Sequence, residues 1–270
     1  MNHYFCSIMR NYILVFVLLS LYGCKKEDNP IQDNPISGCM DPIAINYNEN
    51  ATENDNSCEY QYFVKLNFKL FDGTKELSRY ANFSNNNVNF QIERFKLYFS
   101  NIRINQNLTT DVFLFNIDNN DNSLVVSSNN ETLNNINFNI GLTTLQNQSD
   151  PNSFDSDHPL SISQNTYWFM TPPSYMYLMA EFKYDNNGDM NFTNPLTYHL
   201  AHSELLRELN ISSDFNLIKN DTIDLNLKIL IPTVLNNVDI SETVPHSSNI
   251  SPISILIMDN ISNAIIIEEI

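Results

Sequence analysis

Glycine is scarce in this chain, with five in 270 residues. That excludes the glycine-rich loops that cradle phosphates, and neither a G-x-G-x-x-G nor a G-x-x-x-x-G-K-[ST] pattern occurs. Basic residues are also few. Lys and Arg number 14 against 31 Asp and Glu, a formal net charge of -17. Such a surface has no basic face with which to neutralise phosphates, so nucleic acid is excluded as a partner. It fits a soluble, self-repelling protein outside the cytoplasm, or one that attracts cations. The apolar run Ile13–Leu19 is too short to span a bilayer as a mature helix. There is no G-x-S-x-G and no evident Ser-His-Asp or Cys-His set, so the chain is not expected to be an enzyme.

Against these absences stands one dense stretch, Asp157 to His202. It holds the single tryptophan, Trp168, three of the five histidines (His158, His199 and His202) and four of the eight methionines. Imidazole suits copper and zinc, and thioether suits Cu(I). His158 precedes a proline in a loop. His199 lies on a short predicted strand, Leu196–Leu200, and His202 follows where a helix is expected to start. Close approach of His199 and His202 needs only a turn. Each histidine alone is more often a surface or core residue, and Trp168 is equally a core aromatic. Met170, Met176 and Met179 are spaced for opposite faces of a strand, so they are not expected to face one ion together; Met170 is the one thioether candidate.

Residues 1–23 have the form of a secretory leader. Arg10 precedes the apolar run, and Leu21-Tyr22-Gly23-Cys24 resembles a bacterial lipobox. The resemblance implies that Cys24 carries lipids and holds the protein to a membrane. Residues 24–37 then form a polar tether, whose acidic start resembles the surface-export signals of Bacteroidetes lipoproteins. The expected location is the cell envelope, at the outer membrane. Cys6 leaves with the leader, so Cys39 and Cys58 are expected to pair in an oxidising compartment. Closing a loop of this size contributes roughly 3 kcal/mol in the chain-entropy account. The stapled segment, residues 38–60, resembles a short module of Bacteroidetes surface proteins (G-C-x-D-x-x-A-x-N-Y, then S-C-x-Y). Its Asp41, Asn54, Asp55 and Asn56 offer hard oxygen ligands for Ca²⁺, although a solvated turn fits them better.

From Gln61 onward the period is two. Val64, Leu66, Phe68 and Leu70 share one face of a strand. Further strands are read at 88–92, 95–104, 112–118, 124–126, 136–141, 175–184 and 222–230, with Asn, Asp and Ser clusters as turns. Residues 253–258 and 264–267 are read as a closing hairpin, and Ser203–Leu209 as the one short helix. The loop Asp185–Asp189 partly resembles a Ca²⁺ loop, but an Asn-Gly hairpin turn suits it better. The expected fold is an all-β, antiparallel β-sandwich with a short helix over residues 61–270, preceded by the small disulfide-closed segment.

Several stretches are similar, in order, to the MbnP-like family of copper-binding proteins. These are Lys96-Leu97-Tyr98-Phe99-Ser100-Asn101-Ile102, Phe113–Asp118, Phe138–Gly141, Asp157-His158-Pro159-Leu160, Tyr167-Trp168, Tyr175–Leu178 and Tyr198-His199-Leu200. The resemblance implies a copper site that includes histidines and a tryptophan oxidised to kynurenine by a partner di-haem, peroxidase-like enzyme. Carried onto this chain, it points to His158, His199 and Trp168, with His202 as a weaker member. Family members often read W-x-W in this strand, and here the second position is Met170. The function implied is copper storage or delivery by a lipid-anchored envelope protein. The alternative is a surface adhesion or glycan-binding module on a sandwich without metal, with the 13 tyrosines as a sugar platform.

Overall fold

The structure, a computed structural model, describes residues 34–169, 172–247 and 250–269. These form two compact units, one made of residues 34–40 together with Asn48–Ser57, the other of Asp41–Tyr47 together with the described residues from Cys58 onward. In the first, β1 (Ser37–Gly38) and β2 (Glu53–Asn54) pair in parallel. Cys39 and Cys58 are disulfide-bonded, as expected.

The second unit is a β-sandwich. Its strands are β3 (Tyr62–Phe71), β4 (Glu76–Leu77), β5 (Asn82–Asn85), β6 (Val88–Ile104), β7 (Asn107–Asn116), β8 (Ser123–Ser128) and β9 (Thr132–Ile140). After a loop come β10 (Tyr167–Trp168), β11 (Ser174–Tyr175), β12 (Leu178–Asp185), β13 (Asn194–Leu200), β14 (Arg207–Asn216), β15 (Thr222–Leu230), β16 (Val244–Ser247) and β17 (Ile265–Glu269). The larger sheet runs β14-β9-β6-β12-β13-β16, with β5 and β7 also on β6; the smaller runs β17-β15-β3-β4, with β8 on β3. Most pairs are antiparallel. The exceptions in the sandwich are β3 with β15 and β13 with β16, which are parallel.

The alternation read from β3 is what closes the sandwich. Val64, Leu66, Phe68 and Leu70 are all buried, and the Phe68 ring lies 4.8 Å from Phe99 of β6 and 4.4 Å from Phe113 of β7. Phe99 in turn meets Phe138 of β9 edge-on at 5.4 Å. Such pairs add about 0.5–1.5 kcal/mol each beyond the area they bury.

The two strands read at 88–92 and 95–104 are one strand of 17 residues, β6. Its first half pairs with β5 and β12, its second with β7 and β9. Period two breaks at its centre because Phe95–Ser100 are buried on both faces. Asn101, at φ 50°, forms the irregularity that returns Ile102 and Ile104 to the core.

Two expectations are corrected. Residues 252–264 are a helix, not a strand. With α1 (Thr144–Asn147) and α2 (Ile231–Val234) preceding it, this is α3 (Pro252–Ala264). Its start carries Ser251 as N-cap, bonded to Ser254 in a reciprocal capping box, with Pro252 as the first helical residue. Ile253, Ile257, Met258, Ile261 and Ala264 face inward at helical spacing, and the chain then runs straight into β17. Conversely, Ser203–Leu209 is not a helix. A single 3-10 turn, Ser203–Leu205, leads into β14, whose ten residues find their hydrogen bonds on β9. Tertiary pairing outweighs the short helical pattern there.

Gly141, directly after β9, has φ 103°, and a Cβ on it would lie 2.6 Å from the Tyr177 ring. Gly141→Ala should therefore cost roughly 2–4 kcal/mol, from backbone strain and overpacking together. Urea denaturation checks this; an unchanged midpoint would contradict the packing described.

Candidate metal centre

The outer face of the larger sheet, on the side away from Phe99, is where the chemistry gathers. Register places Lys96, Met179 and His199 in one row across β6, β12 and β13, with Arg94, Glu181 and Thr197 in the next. His199 Nε2 lies 2.8 Å from Glu181 Oε1, and the same oxygen accepts from Arg94 Nη1 at 2.8 Å. A second pair, Lys183 with Glu93, lies alongside at 3.0 Å. The Glu181 carboxylate thus holds the His199 ring by its Nε2 edge. This is how metal-ligating histidines are commonly held, with an outer carboxylate fixing the ring and raising its basicity.

Beside this pair sits a small cluster separate from the main core: Met176, Met179 and Ala201. Met179 is the direct cross-strand partner of His199, and Ala201 lies two residues beyond His199 on the same face. Met176 joins them because it lies in the irregular link between β11 and β12, where strand alternation does not hold. The expectation that these methionines face apart is thus corrected for Met176 and Met179. Met170 lies outside the described residues, as does Cys24. A cavity of about 170 Å³ is lined by Ala201, His202, Ser203, Pro172, Ser174 and Asn147, among others.

The MbnP family's sequence profile matches residues 61–254. The chain belongs to the MbnP family. A solved structure, MbnP from Methylosinus trichosporium, is similar at 13% identity and a TM-score of 0.46, covering 70% of this chain and 82% of that one. No curated protein matches.

Within this MbnP-family sandwich the other expected residues are more dispersed. His158 Nδ1 accepts the Leu160 N–H at 3.1 Å, and its ring stacks on Phe154 at 4.2 Å. His202 Nδ1 accepts the Glu204 N–H at 3.2 Å and so caps the 3-10 turn. In both rings the lone pair is spent on the backbone. Ligating a metal through Nε2 would move the ring proton to Nδ1 and break that bond. Trp168 is half-buried on β10, opposite Ser174 of β11, and Ser174 lines the same cavity as His202. Among the described residues, no three or more His, Cys, Asp or Glu side chains come together as a metal set. Register sets His199 directly across from Met179, which is buried with Met176 and Ala201.

The sequence-based search missed Met176, Met179, Glu181 and Arg94. Glu181 carried a usable signal, being two residues from Met179 on the same strand face. Lys96 is a further find. Its Nζ donates to Gln164 O at 2.7 Å, and burial, then the nearby Arg94, pushes its amine down.

The Ca²⁺ candidates resolve into turns. Asp185 accepts N–H bonds from Asn187, Gly188 and Met190, closing the β12–β13 hairpin. Burial pushes its carboxyl up, but these bonds outweigh it and hold the pKa below the ordinary value. Asp41 accepts from the Tyr60 hydroxyl at 2.6 Å and from the Ile43 N–H, which likewise hold its carboxyl low. Asn54 and Asp55 accept from Asn56 and Ser57 in successive Asx turns.

If His158 is a turn residue, His158→Ala should lower the stability of the metal-free protein by about 1–2 kcal/mol, through the lost acceptor and ring contact. Equilibrium unfolding without metal measures this; no change would contradict the structural role.

Proposed function

We propose that this chain is a lipid-anchored, extracytoplasmic protein that binds copper for storage or delivery rather than for catalysis. Membership of the MbnP family supports the copper reading. The single observation that carries it onto this chain is the Glu181–His199 pair, 2.8 Å apart, in which a carboxylate orients an imidazole as outer carboxylates orient metal-ligating histidines. The lipobox at Cys24 supports a membrane anchor, and the Cys39–Cys58 disulfide fits an oxidising compartment. The outer membrane is the proposed location.

Trp168 is the candidate for oxidation to kynurenine by a di-haem partner. That reaction would cleave the indole C2–C3 bond, take up oxygen from two peroxide equivalents with water as the reduced product, and release C2 as formate on hydrolysis. Trp168 is half-buried rather than sealed in the core, which is compatible with access by such an enzyme.

A second reading, a glycan-binding surface, has one observation in its favour. A cleft of about 300 Å³ at one end of the sandwich is lined by Asn67, Asn120, Asp121 and Asn122 over Phe68 and Leu77, an amide-rich wall of the kind that bonds sugar hydroxyls. The tyrosine platform does not support it. Tyr98, Tyr175, Tyr177 and Tyr198 are all fully buried, and burial pushes the Tyr177 hydroxyl up to about 12.

Competition titration of the purified full chain with a chromophoric Cu(I) chelator tests the copper reading. The expected result is one site tighter than about 10⁻⁹ M. Glu181→Ala should weaken it about 10–100-fold by releasing the His199 ring. Loss of binding in the His158→Ala/His199→Ala double variant should be reproduced by His199→Ala alone. No site in either the untreated or the partner-oxidised protein would end the copper reading in favour of the glycan cleft.

A further inference from the structure

We propose that the cavity walled by Tyr60 and Tyr62 is a binding site for an organic cation, a primary ammonium group received by the two phenol rings and the carboxylates of Glu59 and Glu131. The site shares no residue with the copper reading and does not depend on it.

Four observations carry it. First, the cavity measures about 450 Å³, room for a small ligand, and Asn129 and Ile45 line it beside the two tyrosines and the two glutamates. Second, both phenols donate to carboxylates, Tyr60 to Asp41 Oδ2 at 2.6 Å and Tyr62 to Glu131 Oε1 at 3.2 Å. A phenol hydrogen-bonded to an anion has a more electron-rich ring, and the negative face of the ring is what attracts a cation. The bond to Asp41 raises the Tyr60 pKa, and burial raises that of Tyr62, so both remain neutral donors. Third, the Tyr60 ring already takes an ammonium of this chain: Lys219 Nζ lies 3.9 Å from its centre. Lys219 does not itself line the cavity. Fourth, neither Glu59 nor Glu131 belongs to an ion pair among the described residues, so the cavity holds two carboxylates without a counter-charge.

This set selects by charge and by shape. An ammonium carries three N–H donors, which the Glu59 and Glu131 carboxylates and the Asn129 amide oxygen accept. Its positive charge gains from the ring faces, and its methylene stem gains from exposed Ile45 on the same wall. An anion would be repelled by the two carboxylates, and an uncharged ligand of the same shape would forgo the charge-assisted bonds. The ammonium has two sources, a free amine or a lysine side chain on a partner protein, and the net charge of -17 attracts both.

The test follows the ring resonances of Tyr60 and Tyr62 by NMR in the full chain labelled with ¹³C-tyrosine. Three probes are titrated in: butylammonium, the uncharged butanol of similar shape, and a capped Ala-Ala-Lys-Ala-Ala peptide. The expected result is saturable movement of both rings with the ammonium probes and none with butanol. Glu131→Gln keeps the shape and an acceptor for Tyr62 but removes the charge, and it should weaken binding about 10-fold. Tighter binding of the peptide than of butylammonium assigns the ligand to a lysine side chain; equal or weaker binding assigns it to a free amine. No saturable movement with either ammonium probe, equal movement with butanol, or unchanged affinity in folded Glu131→Gln would overturn the proposal. A thermal melt checks the variant, and if it fails to fold, the comparison of probes on the wild type decides.

Discussion

Tyr98 is the residue on which the candidate centre depends. Its backbone N–H donates to Tyr177 O at 3.0 Å, and its carbonyl accepts from Gly141 N at 2.8 Å. It is the point at which β6 leaves β12 and takes up β9. Its hydroxyl donates to Pro159 O at 2.7 Å and meets Thr166 Oγ1 at the same distance, so the ring that stands on the outer face also pins the loop carrying His158. Burial holds this phenol well above its ordinary pKa, so it remains a neutral donor. Each such bond contributes only about 1 kcal/mol net, but leaving a buried partner unpaired costs about 1–3 kcal/mol. Tyr177, fixed by Tyr98 on one side, donates its own N–H to Leu200 O at 2.6 Å. The link holding Met176 is therefore clamped between β6 and β13, the strand of His199.

This arrangement separates two jobs. The inner face of the large sheet is apolar and aromatic, packed on the smaller sheet through Phe68, Phe99 and Phe138. The outer face carries ion pairs, thioethers and imidazole on the same strands. The net charge of -17 would draw cations generally to the surface. Carboxylates favour hard ions, whereas the thioethers and the imidazole on the outer face are softer groups.

Much of the sandwich was legible in the sequence because its strands bury one face. The alternation of Val64, Leu66, Phe68 and Leu70 is an example. Where both faces are buried, as over Phe95–Ser100, periodicity fails and one strand reads as two. Where capping decides, as at Ser251 and Pro252, an apolar run that resembles a strand becomes a helix. The site was partly legible. His199 stood out by residue type, but its carboxylate and thioether neighbours are set by β12–β13 register and by the irregular link at Met176, which strand alternation does not foresee. His158, and less strongly His202, stood out in the same way and serve as turn acceptors, since a histidine bonded to its own turn has the same sequence signature as a ligand.

The most direct measurement is a long-range proton–nitrogen NMR spectrum of the histidine rings in the full chain, followed as Cu(I) is added. Cu(I) is diamagnetic, so the resonances persist. The account predicts that the His199 ring shifts while the rings of His158 and His202 keep their apo positions. Joint movement of His158 and His202 with an unmoved His199 would contradict it.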